Sequence, residues 1–384
     1  MFKKYLLKET IEAVSISKLN MLNGVFFILT LTLMWRQYAH VSTFPTSPIF
    51  ESLSVIPKQI NFILFLVVFI SSILTVTYNT LRLVPIILVS FSLLLLLDVN
   101  NIYPFTLFHF TVFVILFFVK RGLINSETAL NFVRWFLVGI YFSGAIQKMN
   151  PLFEKEVFNW LTVPLISKFT SANYLLISKT YALIPIWEIT TTLFLIFNKT
   201  RKLGLIFVVI IHVTILFIFS PLYRNFFGPL FPFNIALIFF NLFLFRSYNG
   251  NLLTDTITTS KKIITICVLA FSIGLPTIHF FGYGHDFLSY DLYSGKYKYS
   301  AFIFNKDYFD NTPERVKKYA FKTTHKDFYI LYLDYWIFNQ TYGSLYREEF
   351  VLKHYKNYMK TYKTKDANCV FLIHRNGKNE YELL

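Results

Sequence analysis

Charge is scarce in this sequence, and negative charge scarcest. Only 15% of the 384 residues are charged, with 21 Asp and Glu against 37 Lys and Arg. A soluble domain carries about 25% charged residues, so the chain lacks the polar surface of a wholly soluble fold. Cysteine is almost missing. Cys267 falls in an apolar run and Cys369 in the polar C-terminal stretch, which argues against a disulfide between them and leaves no metal-ligand spacing. Also lacking is a short apolar core with a small-residue cleavage site behind the basic, amphipathic start Met1 to Asn20. The first apolar run, Met21 to Trp35, is therefore expected to stay as a membrane helix. The C-terminal stretch has no Ser-His-Asp set, Gly-rich phosphate loop or metal cluster.

In place of charge the chain is 55% hydrophobic and 20% aromatic. From Leu19 to Phe281 long apolar runs alternate with short polar gaps, and after Gly282 the sequence turns polar and dense in Lys, Asp and Tyr. The expected fold is a polytopic α-helical membrane protein, residues 1–282, followed by a small mixed α/β soluble domain, residues 283–384. A membrane helix needs about 20 apolar residues. About nine spans are expected, near 20–37, 59–78, 81–98, 105–120, 128–149, 175–197, 203–220, 229–246 and 262–281. Residues 59–98, split near Arg82 and Pro85, read either as one bent hairpin or as two tight spans. Tyr38 to Lys58, with Pro45, Pro48 and Pro57, reads as an exposed loop.

Basic charge concentrates in the membrane body, where 21 Lys and Arg face 9 Asp and Glu; residues 283–384 hold 16 against 12. This is a topology and headgroup signal, with membrane lipids as partners and no nucleic-acid footprint. With the N-terminus inside, inner segments carry 13 Lys and Arg and outer loops 6. The bias favours a cytoplasmic N-terminus, and nine spans then put the C-terminal domain outside. In that domain Ser300 to Asn305, Asp327 to Phe338 and Cys369 to His374 suit strands, and Arg347 to Lys363 has helical spacing.

Ionisable groups inside a bilayer are costly, so each needs a reason. Arg134, Tyr141 and Lys148 lie seven apart and share one helix face. Gly144 and Ala145 between them admit a neighbouring helix. Lys148 reads either as a helix-end lysine snorkelling to headgroups or as a base whose neutral amine accepts a proton. Glu188, in the run Ala182 to Phe197, reads either as one side of a structural hydrogen bond or ion pair or as a binding or proton-transfer group. His212 lies mid-span on the next helix and reads either as a satisfied core residue or, since the two can face each other, as an imidazole that the Glu188 carboxylate orients. Asp98, Asn100 and Asn101 form a polar turn at an outer helix end, His109 reads as structural, and Pro229, Pro232 and Asn234 mark an irregular helix start.

At Tyr141 to Asn150 the sequence resembles the Tyr-Phe-x-Ala-Gly-x-x-Lys-Leu-Asp segment of the HTTM (horizontally transferred transmembrane) family, the vitamin K-dependent gamma-carboxylase-like membrane proteins. Ile186-Trp187-Glu188, Leu203 to Phe207 with His212, and Phe231-Pro232-Phe233-Asn234 follow in the family's order, so the resemblance covers roughly residues 15–290. It implies a membrane-embedded enzyme with a reduced quinone, vitamin K-like, as cofactor and Lys148 as base. The candidate catalytic residues are then Lys148 and His212, with Tyr141, Glu188, Asn101 and Arg134 as pocket residues. A secreted peptide or protein is the implied substrate, and a bacterial inner membrane the expected location. The chain departs from the family at Gln147, where a second lysine stands, at Asn150, where an Asp stands, and at Asn101, which takes the place of a histidine. The alternative is a non-enzymatic scaffold, transporter or peptide-toxin maturation partner on the same fold.

Overall fold

The computed structural model describes residues 2–39, 44–166, 179–223, 228–253, 266, 268–281, 283, 299–325, 327–341, 345–346, 348–364, 367–375 and 378–384. The body is helical: α1 (Phe2–Leu33), α2 (Trp35–Tyr38), α3 (Gln59–Thr77), α4 (Val84–Leu97), α5 (Pro104–Lys120), α6 (Ser126–Lys148), α7 (Asn159–Ile166), α8 (Leu183–Ile196), α9 (Arg201–Phe219) and α10 (Leu230–Phe245). A π-helical turn, Ala270–Gly274, runs into α11 (Leu275–Phe280).

Among the described residues, four helical segments are long and apolar enough to cross a membrane: Val14–Leu33 within α1, then α3, α6 and α9. Nine are not found among them. The helices at four of the other expected spans, α4, α5, α8 and α10, have 17 residues or fewer. At about 1.5 Å per residue they fall short of a hydrocarbon core about 30 Å thick. Parts of the expected spans 175–197 and 262–281, with Cys267, lie outside the described residues. Residues 59–98 form two helices, and the break comes at Asn79, which takes a positive φ of 42°, ahead of the expected Arg82 and Pro85. On α9, Ile206, Val213 and Phe217 are exposed, an apolar outer surface suited to lipid.

Local sequence explains where α6 starts and stops. The Asn125 side chain accepts from Thr128 N at 2.8 Å, capping its N-terminus. At its far end Asn150 Oδ1 accepts from Leu152 N at 2.9 Å and Phe153 N at 3.1 Å, which starts a new turn. Gly139 lets α6 touch the 270–274 turn: a Cβ there would sit 2.4 Å from the Ser272 carbonyl oxygen.

The described residues cluster into two compact units. The first comprises 1–30, 70–88 and 104–295, and holds the helices just described from α5 onward. The second comprises 31–69, 89–103 and 296–384. It contains an antiparallel sheet in the order β2 (Phe321–Lys322), β3 (Phe328–Tyr332), β1 (Tyr299–Asn305), β4 (Cys369–Arg375), β5 (Lys378–Leu383). Pairing puts Phe302 opposite Leu331 and Phe371, and Phe304 opposite Cys369, so these five buried side chains share one face. Helices α12 (Lys306–Asn311), α13 (Glu314–Lys317), α14 (Leu333–Thr341) and α15 (Glu349–Lys360) complete this unit.

The strand expected over Asp327 to Phe338 stops at Tyr332 and becomes α14. Buried Leu333, Trp336, Ile337 and Thr341 recur with helical spacing, so the second half of the run has period 3.6 rather than 2. The Tyr38 to Lys58 loop is not simply exposed. Phe44 is buried against the rings of Trp336 and Tyr355, with centroids at 4.8 and 5.1 Å. The polar turn at 98–101 is buried too: Asn100 Nδ2 donates to Tyr355 OH at 2.6 Å, and Tyr346 N donates to Asn100 Oδ1 at 3.1 Å.

Cys369, a free thiol at the start of β4, lies on the buried face of this sheet, and burial pushes it up to about 12. Thiolate is the reactive form. The folded protein at pH 8 is therefore expected to resist iodoacetamide at Cys369, with alkylation following only after denaturation; mass spectrometry of the C-terminal peptide reads this directly.

Candidate functional site

Helices α6, α8, α9 and α10 pack side by side in chain neighbours and bring two polar clusters together. The first is an ion pair. Lys148 Nζ lies 2.9 Å from both Glu188 oxygens and 3.0 Å from the Gly144 carbonyl oxygen. The two side chains are 13% and 10% exposed, so the amine turns inward to a carboxylate and does not splay outward. Its three donors all have acceptors. Gly144 makes room for this pair, since a Cβ there would lie 3.2 Å from Glu188 Oε2 and 3.3 Å from Lys148 Nζ.

The second cluster is built on His212. Asn234 Nδ2 donates to Leu230 O at 2.8 Å, which leaves Asn234 Oδ1 facing His212 Nδ1 at 2.7 Å. An amide oxygen accepts only, so Nδ1 carries the proton and Nε2 the lone pair. Tyr141 OH, 2.7 Å from Nε2, is then the donor. Asn241 Nδ2 donates to the Tyr141 oxygen at 2.9 Å and to Leu237 O at 2.7 Å. Glu188, expected to orient His212, does not reach it: Asn234 takes that place, and the carboxylate is taken by Lys148.

Both clusters face one cavity of about 330 Å³. Tyr141, Lys148, Glu188, His212 and Asn234 line it, and the remaining wall is dominated by aliphatic and aromatic side chains such as Ile215, Phe219 and Phe233. Trp187 and Ile210 also line it and are 37% and 42% exposed, so it lies one side chain away from the outer surface of the α8–α9 pair.

No family model, curated protein or solved structure matches the chain. Four of the six residues singled out from sequence meet at the cavity: Tyr141, Lys148, Glu188 and His212. Arg134 does not. It lies seven residues back along α6 from Tyr141, about 10 Å away, where its Nε donates to Leu244 O at 2.8 Å and its guanidinium sits 3.9 Å over the Tyr248 ring. It caps the last turn of α10. Asn101 is also elsewhere, in the second unit, donating to Leu94 O at 2.9 Å and accepting from Gln37 at 3.3 Å. Sequence reasoning passed over Asn241 and read Asn234 only as an irregular helix start. Their signal was present: two asparagines seven apart in an otherwise apolar helix share one face. No group of three metal-ligating side chains gathers among the described residues.

Proposed function

We propose that this chain is an integral membrane protein of the HTTM, gamma-carboxylase-like kind, with a cytoplasmic N-terminus, that takes a quinone-like or other lipid-soluble ligand into the cavity beside Lys148 and acts on it as an enzyme. The observation carrying this reading is an apolar chamber with an ion pair and a tyrosine–histidine pair on the same wall. Its volume falls at the low end of the range for small-molecule sites, about 300–1,000 Å³, and apolar walls with a few convergent polar groups are the usual makeup of such sites.

A reduced quinone, when bound, would supply electrons for oxygen chemistry. This chain's residues would hold and position it. The apolar walls take the ring and exclude water. The Lys148 ammonium is placed to stabilise an oxygen that becomes negative. With all three donors engaged, Lys148 serves as a base only after Glu188 has accepted one of its protons.

Purification of the full chain in native-lipid nanodiscs, followed by solvent extraction and mass spectrometry, tests the reading. A lipid-soluble ring compound is expected with the wild type and is expected to be depleted in Ile215→Trp, which fills the chamber. Identical extracts from both proteins sink the proposal. A second reading, a binding or maturation partner without turnover, is favoured by the fully engaged Lys148 amine; recovery of the added ligand unchanged under oxygen would support it.

A further inference from the structure

We infer that the open face of the C-terminal sheet is an interface between two copies of this chain, packed sheet on sheet. None of its residues lines the cavity, so this holds whatever the cavity binds.

Strand pairing sorts the residues onto two faces. One face is covered: the Tyr308 ring of α12 packs 5.4 Å from that of Phe304, and Lys356 Nζ of α15 lies 5.6 Å over the Phe371 ring. The other carries no Lys, Arg, Asp or Glu among the described strand residues. It presents Phe321, Phe328, Tyr332, Tyr381 and Leu383, all exposed. Antiparallel strands with one face in water alternate apolar and polar residues. β1 and β4 instead contain Ser-Ala-Phe-Ile-Phe and Val-Phe-Leu-Ile, the unbroken runs typical of strands buried on both sides.

The edge strand β5 carries the inference furthest. All its residues are exposed, so burial within one chain does not dictate which side each takes. Yet Lys378, Glu380 and Glu382 fall on the helix side, where Lys356 Nζ meets Glu382 Oε2 at 2.7 Å, while Tyr381 and Leu383 fall on the open side. A monomer in water gains from the reverse arrangement. The pattern fits a face that is covered in the working protein. A second copy is the occupant this surface suits. A two-fold contact sets a patch against itself, and a patch without charge meets itself with no like-charge repulsion. Five strands about 4.8 Å apart, most of them five to seven residues long at about 3.4 Å each, give a footprint of about 400 Å² per copy. With side-chain relief, two copies bury about 1,000 Å², the lower bound for a specific interface. In a shared membrane both copies keep one orientation, which puts the two-fold axis along the bilayer normal and lowers the orientational cost of pairing.

The test measures the mass of the full chain by sedimentation equilibrium in density-matched detergent at micromolar concentration. Protection of Cys369 from iodoacetamide checks that each variant keeps its sheet. The wild type is expected at twice the chain mass of 45.3 kDa. Y381K/L383K places lysines at two exposed positions of the open face. It is expected to weaken pairing by about a hundredfold or more, because like charges then meet across the contact, and to sediment as a monomer. Glu380→Lys, on the same strand but on the helix side, is expected to stay dimeric. A monomeric wild type overturns the inference and leaves the face to a partner of another kind. A dimeric Y381K/L383K, or a dimer lost equally in Glu380→Lys, overturns it as well, since the open face would then not make the contact.

Discussion

Glu188→Leu, made alone, is expected to destabilise the protein by about 3–5 kcal/mol, because it leaves the Lys148 ammonium buried without its carboxylate. Lys148→Met alone is expected to fall in the same range by stranding Glu188. The double variant K148M/E188L should recover most of the loss, since an ion pair replaced by apolar residues of similar size is often neutral or better. The comparison is a double-mutant cycle read from thermal unfolding in detergent. The contacts make the interpretation clear: both carboxylate oxygens lie 2.9 Å from one nitrogen, and both side chains are nearly covered. Single variants as stable as the wild type would mean that water reaches the pair freely. A lysine that merely snorkelled to headgroups would behave in that way, so the cycle also decides between the two readings open in the sequence.

Gly139→Ala is the second large effect. The added methyl would meet the Ser272 backbone at 2.4 Å from its oxygen and 2.9 Å from its carbonyl carbon. Backbone cannot rotate aside, so α6 and the 270–274 turn have to separate. Overpacking costs about 1–3 kcal/mol, and the upper part of that range is expected here. Gly24→Ala makes a useful control. Its methyl would come as near, 2.4 Å, but to the Cγ2 of Val76, a side-chain methyl and not backbone. A loss for Gly139→Ala no greater than for Gly24→Ala, measured as the shift in unfolding midpoint, would show that the α6 contact is looser than described.

Much of the architecture was legible because the signals are local. The strands at β1 and β4 and the helix at α15 lie where alternation and helical spacing put them. The run after Asp327 misled because Phe, Tyr, Ile and Leu suit either element; the switch of period at Leu333 was the distinguishing mark. Counting apolar stretches overstated the number of full-length crossings. Hydropathy measures composition over a window, whereas a crossing needs unbroken helix length, and α4, α8 and α10 stop at 14 to 16 residues.

In the site, heptad spacing brought out the α6 face with Tyr141 and Lys148, and the burial of charge brought out Glu188 as a residue needing a partner. Spacing did not separate Arg134 from that set, although it lies about two turns from Tyr141 and outside the cavity lining, because face and height along a helix are different coordinates.

The sequence by itself determined an apolar, mostly helical body, a small sheet-containing C-terminal part and the residue types able to handle protons, all of which follow from composition and short-range period. Tertiary structure alone decided that Glu188 serves Lys148 and that Asn234 serves His212. These partners stand 40 and 22 residues apart, and Tyr141 stands 71 from His212. The physical reason is that a buried donor takes the acceptor that helix packing brings within about 3 Å, and that choice depends on rotation and height of whole helices, which no local pattern encodes.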